Sequence, residues 1–387
     1  MRRLGWVVVT FFVFLSFTYF LMQAMPGSIA DKFIANPKIP LAARQALIHQ
    51  FGLDQPVWLQ YLHYLWNFLH GNLGVSFSQY PRPVWSILME RLPRTVMLFL
   101  SATVISFYIG FAAGKVSAWR RATLYDYTAT IVGATFFTAF YPLLGLVVVW
   151  LFGFELGWFP LNQFIDPYVW IDAGVSSNAV FAGLIYTCIA WCLLSMGAAW
   201  LIKARVRRRS TQKALRRWVP VALAVVAVVV WAAGANAKYV WDIVRHMVLP
   251  IATLTLISFA GTMLVMRDSM LETIKEDYVM AARAKGLPER IVRDRYAART
   301  ALLPVVTGLA LSIGGVMSGG LVTETIFSWP GLGLTLFDAA IGQDYPLAMG
   351  AFAFTGIFIL LAHLAADLLY AWLDPRISYD SGARKAA

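Results

Sequence analysis

The chain has 387 residues, of which 59% are apolar, 15% are aromatic and only 13% are charged. This composition leaves too little polar surface to coat a soluble globule, so it excludes a water-soluble fold. The net charge of +12 could suggest nucleic acid as a partner, but the basic residues cluster in alternate loops between apolar stretches, which is a membrane-topology signal.

Eight uncharged stretches are long enough to cross about 30 Å of hydrocarbon, which takes roughly 20 helical residues. Because backbone polar groups cannot stay unpaired in lipid, and because barrel-strand alternation is missing, all eight are predicted to be helices. Pro250 and Pro304 are expected near helix starts, where proline costs least. The predicted spans are Leu4–Met25, Thr95–Gly114, Tyr127–Phe154, Ala179–Ile202, Trp218–Ala235, Met247–Met266, Thr300–Thr323 and Tyr345–Ala366.

The predicted organisation is an all-α polytopic membrane protein. Residues 1–25 form the first transmembrane helix, a retained anchor rather than a cleaved signal. Residues 26–93 form an external subdomain with short helices. The later parts are transmembrane helices 2 and 3 in 94–177, a helical hairpin in 178–236, a transmembrane core in 237–374 with a cytoplasmic loop at 267–300, and a cytoplasmic tail in 375–387.

Basic residues assign the two sides of the membrane. They concentrate around Arg2, in 115–121, in 203–217 and in 267–299, whereas the intervening loops are poorer in Lys and Arg. Since cytoplasmic loops carry the excess of basic residues, both termini are expected in the cytoplasm of a cell with this chain in its inner membrane. Lipid headgroups are the expected partner of the 203–217 tip.

The loop after the sixth span is the most informative stretch. It is dense in both charge signs, yet it contains Ala281, Ala282 and Ala284. Gly286 can end one helix and Pro288 can start the next, which predicts two short helices joined by a tight turn. The residues alone leave two interpretations open, a solvated amphipathic connector or a surface that a partner approaches.

Two pieces of this loop resemble the coupling-loop motif of ABC importer permeases: Glu-Ala-Ala, three residues, Gly, then a later Leu-Pro. Here Met280 stands in place of the motif's Glu, and Ala281, Ala282 and Gly286 match, as do Leu303 and Pro304. The eighteen residues from Gly286 to Pro304 are typical of the dipeptide, oligopeptide and nickel branch of that family.

The resemblance to this branch extends along nearly the whole chain. Members usually have six spans, so 178–236 is interpreted as two inserted helices, which preserve the topology of everything downstream. The further matching segments are Ala24–Gly27, Phe51–Pro56, Gly71–Ser76, Glu90–Pro93, Leu156–Pro160, Phe327–Gly333, Asp344–Pro346 and Asp374–Arg376.

The resemblance implies a transport subunit and not an enzyme. Its expected partners are a homologous second permease, two cytoplasmic ATP-binding subunits and an external substrate-binding protein. No cofactor or metal is expected in this chain, and Gly110–Val116 lacks the spacing and the hydroxyl of a phosphate-binding loop. The ATPase-coupling residues implied are Glu276, Asp277, Tyr278, Ala281, Ala282, Lys285, Gly286, Leu287 and Pro288, with Leu303 and Pro304 at the motif's end.

Peptides are the first expected substrate, and nickel or oligosaccharides are the alternatives within the same family. His49, His63 and His70 lack the tight spacing of a metal-ligand pair. The alternative class is an ion-coupled secondary transporter, with His363 and Asp367 as a proton relay. Further charges near span ends are Glu155 and Glu324, while Cys188, Cys192, Gly110, Gly114 and the seventh-span glycines from Gly308 to Gly320 are interpreted as packing residues.

Overall fold

A computed structural model describes residues 2–24, 55–161, 163–206, 208–316 and 320–373. Every regular element in those ranges is a helix, and the one extended pairing there is an isolated bridge between Val75 and Pro83. The predicted all-α fold is therefore confirmed. The predictions for His49, Gly319, the Asp367 side chain and the tail 375–387 lie outside the described residues.

The helices follow one another with short connections. In chain order they are α1 (Arg2–Gln23), α2 (Val57–Leu69), α3 (Val84–Trp119), α4 (Leu124–Thr138), α5 (Tyr141–Val148), the π-helix π1 (Val149–Glu155), α6 (Pro167–Trp170), α7 (Ser177–Arg205), α8 (Arg209–Ala233), α9 (Ala237–Thr273), α10 (Asp277–Ala284), α11 (Glu289–Ile291), the π-helix π2 (Val292–Ala297), α12 (Ala298–Val316), α13 (Leu321–Ile326), α14 (Leu332–Ile341) and α15 (Tyr345–Leu373).

Four helices in the described part are long and apolar enough to cross a membrane: α3, α7, α9 and the Ser210–Ala233 stretch of α8. A fifth candidate is the bent pair formed by α4 and Tyr141–Glu155. The other predicted spans are Leu4–Met25 on α1, Thr300–Thr323 on α12 and α13, and Tyr345–Ala366 on α15. The span Thr300–Thr323 is not one helix, because Gly320 before α13 is extended. The membrane character is thus supported by the helices, while the full count of eight spans stays a prediction.

Several expectations about helix continuity were wrong. The third span is not one helix, because α4 ends at Thr138 and the chain bends by 105° before Tyr141–Glu155. Pro142 explains the break: its missing N–H cannot bond the Thr138 carbonyl, and its ring would clash with that oxygen. Neither Pro250 nor Pro304 lies near a helix start: α9 begins at Ala237 and runs through Pro250, and α12 begins at Ala298, directly after π2, and runs through Pro304. Prolines inside membrane helices are tolerated where neighbouring groups satisfy the freed backbone.

The chain divides into two compact units, and the first comprises residues 1–147 and 251–387. In it, α12 packs against α3 and α15, α1 packs against α15, and α14 packs against α3 and α15. Glycines bring α3 close to α9: a Cβ on Gly110 would lie 2.6 Å from the Phe259 carbonyl oxygen, and one on Gly114 would lie 2.9 Å from the Met266 Cβ. The packing role predicted for this pair is confirmed.

The second unit comprises residues 148–250 and contains the hairpin of α7 and α8. Polar cross-links join its two helices: the Trp191 indole donates to the Pro220 carbonyl at 2.9 Å, and the Trp231 indole donates to the Thr187 hydroxyl at 3.0 Å. No residue in the most apolar stretch of Ser210–Ala233 is buried within the chain. Those side chains are therefore free to face lipid or another protein.

The cysteines of α7 do not behave as predicted. Cys188 and Cys192 were interpreted as small packing residues, but both are exposed within the chain. The physical reason is that α7 buries only Val180, Phe181 and Ile202. The helix α7 is apolar on all sides, but the rest of the chain covers little of it. Its small apolar side chains therefore lie on an outer surface.

Candidate functional site

The loop that resembles a coupling motif adopts the predicted pair of short helices. We call residues 267–304 the coupling segment. Glu276 precedes α10 in an extended conformation. At the other end of α10 the Lys285 N–H donates to the Ala281 carbonyl at 3.1 Å, and the Gly286 N–H donates to the Arg283 carbonyl at 2.9 Å. Gly286 then takes a φ of +71°, and Pro288 stands immediately before α11. This left-handed turn is the reason for a glycine at position 286, because a Cβ there would strain the backbone.

The side chains of α10 separate into a buried and an exposed face. Val279 and Ala282, three residues apart, are 0% and 2% exposed, and Leu287 is half-buried. They join an apolar cluster beneath α10 that we call the seat; its buried members are Ala118, Met266, Met270, Val279, Ala282, Val292, Ala297, Ala298, Ala301 and Val305. The seat fixes the position of α10 without using its outer face.

The outer face of the coupling segment is open within this chain. Tyr278 is 40% exposed and Met280, which occupies the place of the motif's Glu, is 53% exposed. The other exposed members of the predicted site are Glu276, Asp277, Ala281, Lys285, Gly286 and Pro288. These seven exposed members of the predicted site, together with Met280, form one accessible surface, while Ala282 and Leu287 pack in or against the seat instead.

Leu303 and Pro304, the end of the motif, lie on a different element. Both are on α12 and exposed, with Leu303 at 55%. Their neighbours Leu302 and Val305 contact the seat, but Leu303 and Pro304 are not among its members. The structure therefore divides the predicted site into an outer surface on α10 and a separate position on α12, joined through π2.

Ion pairs tie the coupling segment to neighbouring helices. Arg267 on α9 donates two hydrogen bonds to Asp126 at the start of α4, from Nε to Oδ1 at 2.8 Å and from Nη2 to Oδ2 at 3.2 Å. Asp126 is buried and also accepts from the Ser117 hydroxyl and, at 3.1 Å, from the Ala122 N–H. This bidentate pair fixes where the coupling segment leaves the membrane helices.

A second ionic link joins α3 to π2. Asp294 is 3.1 Å from the Lys115 Nζ and accepts two bonds from Arg293, at 2.9 and 3.0 Å. The bonds from Arg293, followed by that from Lys115, lower the pKa of Asp294 to about 2. This carboxylate is therefore charged throughout the physiological pH range.

Arg283 links α10 to two further elements. Its guanidinium lies 5.1 Å from the centre of the Trp119 ring, and its Nε is 3.3 Å from a Glu289 carboxylate oxygen. Sequence reasoning missed the roles of Arg283, Lys115 and Asp126. Their partners are distant in the sequence or on another element, so no spacing pattern could have shown them.

A second cluster explains the Phe327–Gly333 match. Glu324 is fully buried and accepts from the Thr95 hydroxyl at 2.7 Å and the Leu334 N–H at 2.9 Å. A Cβ on Gly331 would collide with both the Glu324 carboxylate and the Thr95 hydroxyl. Trp329, also fully buried, donates its indole N–H to the Arg94 carbonyl at 3.2 Å. These hydrogen bonds and close contacts hold the loop 327–333 in place, so Glu324 has a structural role here.

The other sequence candidates are not brought together. Glu155, His63, His70 and His363 are exposed, and the His363 Nδ1 lies 2.8 Å from the carbonyl oxygen of its own helix at Ile359. Among the described residues, no group of three or more His, Cys, Asp or Glu side chains could hold a metal ion. The coupling segment is therefore the best-formed candidate site in the described part of the chain.

Comparison with known proteins gives matches along almost the entire sequence. Residues 106–379 match the family described as "binding-protein-dependent transport system inner membrane component", and residues 1–99 match the N-terminal part of such membrane components. The chain is similar to the dipeptide transport system permease protein DppB of Escherichia coli strain K12, with 30% identity and 98% of each chain covered.

Two other relatives have related names. The di/tripeptide transport system permease protein DppB of Pseudomonas aeruginosa is 29% identical, with 98% of each chain covered. The oligopeptide transport system permease protein AppB of Bacillus subtilis is also 29% identical, over 94% of this chain and 93% of its own length. The names of these three relatives share a substrate class, which is peptides.

Proposed function

Because this chain belongs to the binding-protein-dependent transport system inner membrane component family, we propose that the exposed face of α10 and the Gly286 turn are where an ATP-hydrolysing subunit docks. The chain is a membrane permease subunit of an ABC importer for peptides. The observation that carries the docking proposal is the division of α10: its inner face is fixed on the seat while its outer face is uncovered.

The proposed assembly contains a second permease, two ATP-binding subunits and an external peptide-binding protein. ATP would be bound and hydrolysed by the partner subunits, with this chain transmitting their movement. A docked subunit can shift the transmembrane helices only if its contacts differ between two states of the permease. The links from Arg267 to Asp126 and from Lys115 to Asp294 would carry such a shift from the coupling segment to α4 and α3.

The proposed orientation places the coupling segment and both termini in the cytoplasm. The support is the distribution of basic residues, since the segment 267–299 and the tip 203–217 each contain eight Lys and Arg residues, more than any other loop of the chain. This orientation puts the α10 surface on the side of the membrane where ATP is available.

Replacing Gly286 tests the docking surface. A Cβ on Gly286 would meet nothing within 4 Å, so any effect of a substitution comes from the positive φ or from a partner. A β-branched residue in the left-handed region costs roughly 1–2 kcal/mol, so Gly286→Val should lower peptide uptake about tenfold. Uptake and ATPase activity would be measured in proteoliposomes of the complete complex.

Gly286→Asn is the matched control, because asparagine tolerates the left-handed region much better than valine does. It should retain most of the uptake, whereas Gly286→Trp should lose it through bulk at the docking surface. Co-purification of the ATP-binding subunits with each variant separates loss of docking from loss of folding. Normal uptake by both Gly286→Val and Gly286→Trp would contradict the proposal.

A further inference from the structure

A cavity of about 410 Å³ lies among α3, α4, α9 and α12, within the first unit. It is lined in the membrane-spanning stretches of these helices, and none of its described lining residues is ionisable. Five of them carry hydroxyl groups: Thr103, Ser106, Ser258, Thr262 and Ser312. Its volume falls within the range of about 300–1,000 Å³ that is usual for small-ligand sites.

The hydrogen bonds of these hydroxyls show what the cavity can offer. The Ser106 hydroxyl donates to the Thr103 carbonyl and the Ser312 hydroxyl donates to the Gly308 carbonyl, both at 2.9 Å within one helix. A hydroxyl has one proton and two acceptor lone pairs. Since these protons are already donated, the hydroxyls can receive hydrogen bonds from a guest, so the lining matches N–H donors such as those of a peptide backbone.

Gly308 lines the cavity and has no side chain that would fill it. A Cβ built on it would meet nothing within 4 Å, in contrast to Gly110 and Gly114, where a Cβ would collide with α9. The packing role predicted for Gly308 is therefore not seen within the described part of the chain. A glycine in a helix interior costs up to about 1 kcal/mol of stability relative to alanine. At this position the lack of a side chain keeps the cavity open.

The cavity shares residues with the seat of the coupling segment. Val305 on α12 is a buried member of the seat, and Phe107 on α3 packs against it; both side chains also line the cavity. Pro304, at the end of the coupling motif, lines the cavity as well. A displacement of α10 on its seat would therefore change the shape of the cavity directly.

We propose that this cavity is this chain's part of the transport path, where a peptide in transit donates its main-chain N–H groups to the hydroxyl oxygens. The inference rests on the proposed function and extends it to named residues. Because the described lining holds no charge, the site binds peptides through the backbone that all of them share and does not select their side chains by charge.

Cysteine accessibility tests the proposal without relying on transport. In the complete complex with Cys188 and Cys192 replaced by alanine, Ser258→Cys and Ser312→Cys would be treated with a charged, membrane-impermeant thiol reagent. Both should react, and a saturating substrate peptide should slow the reaction at least threefold. Ser210→Cys is the control: it lies exposed in the basic tip 203–217 and does not line the cavity, so it should react with the charged reagent at a rate that peptide leaves unchanged.

The same experiment distinguishes other occupants of the cavity. If a lipid chain or a helix of the second permease filled it, neither introduced thiol would react with the charged reagent, and the proposal would be overturned. Reaction that is insensitive to peptide would also overturn it. A wild-type complex that takes up no peptide would instead refute the proposed function, because the labelling result does not depend on uptake.

Bulk at Gly308 provides a second test. Gly308→Phe should lower peptide uptake at least tenfold while the ATP-binding subunits still assemble and hydrolyse ATP. Gly197→Phe is a matched control, because Gly197 also lies in an apolar helix with nothing within 4 Å of a built Cβ, and it should transport normally. Unchanged uptake by a correctly assembled Gly308→Phe complex would overturn the proposal.

Discussion

Glu324 and Asp344 are two fully buried carboxylates among the described residues of the first unit, and both hold loops in place. Glu324 accepts from Thr95 and the Leu334 N–H, whereas Asp344 accepts from the Ser78 N–H at 2.9 Å and the Leu347 N–H at 3.3 Å. A buried polar group with its hydrogen bonds made stabilises one arrangement of the chain, since leaving it unpaired is costly. Both carboxylates therefore stabilise loops. Their hydrogen bonds give no support to a role in proton transfer.

The ion pair of Asp294 yields a prediction at the same scale. Its pKa in the folded protein, about 2, is below the ordinary 3.8. A carboxylate with a depressed pKa contributes stability above its unfolded pKa and loses it as the pH falls towards the folded value. The contribution of Asp294 should thus be constant between about pH 5 and pH 8, where the carboxylate is charged in both states.

Asp294→Asn should lower the free energy of unfolding by no more than about 1 kcal/mol, because the pair is partly exposed. The loss should be equal at both ends of that pH range, as measured by thermal unfolding in detergent. Lys115→Met should produce a loss of similar size, and the double variant should lose less than the sum of the two. A loss that grew strongly between these pH values would contradict this assignment.

At the scale of elements, the contact between α3 and α9 depends on two glycines one turn apart. A Cβ on Gly114 would collide with the Met263 carbonyl oxygen and lie 3.2 Å from the Arg267 backbone nitrogen. Backbone atoms in a helix cannot move aside as a flexible side chain can. Because Arg267 also grips Asp126, the close approach of α3 and α9 positions the ion pair that supports the coupling segment.

Gly114→Leu should therefore separate α3 from α9. Overpacking of this kind costs typically 1–3 kcal/mol, and the variant should show a lower melting temperature in detergent. Gly5→Leu is the control, because a Cβ on Gly5 in α1 would meet nothing within 4 Å. An unchanged melting temperature for Gly114→Leu would show that α3 and α9 do not pack through this glycine.

At the scale of the whole molecule, we expect that the hairpin of α7 and α8 can be deleted without changing the membrane topology of the other helices. Both of its ends are held near the same loop: Phe181 contacts Phe164 at 5.5 Å, and Tyr239 contacts Trp170 at 4.6 Å between ring centres. The Asp242 carboxylate accepts hydrogen bonds from the Asp166 N–H at 3.0 Å and from the Trp170 indole N–H at 2.8 Å. A short linker could therefore bridge the gap left by a deletion.

Deletion of residues 182–234 should leave an assembled permease that still transports peptide at about half the normal rate or better. The reason is that two helices leave the membrane orientation of everything downstream unchanged, and the α8 surface is not buried in this chain. Deleting only α8 is the informative control, because an odd number of spans should invert the coupling segment and abolish assembly. A twentyfold loss of uptake by the double deletion would show that the hairpin has a functional partner.

Much of the architecture and of the candidate site could be predicted from sequence. The apolar stretches, the turn at Gly286 and the start of α11 after Pro288 all follow from local chemistry. The break before Pro142 was missed because hydropathy remains high through it, although the proline itself was a usable signal. The seat and the Asp126 and Asp294 pairs depend on contacts between distant segments, which no local pattern encodes.

The neutral lining of the cavity has an electrical consequence. Moving one elementary charge through a membrane potential of 100 mV involves about 2.3 kcal/mol. A zwitterionic peptide carries no net charge, and the described residues that line the cavity are uncharged as well. The membrane voltage therefore does no net work on such a peptide as it passes through this part of the proposed path.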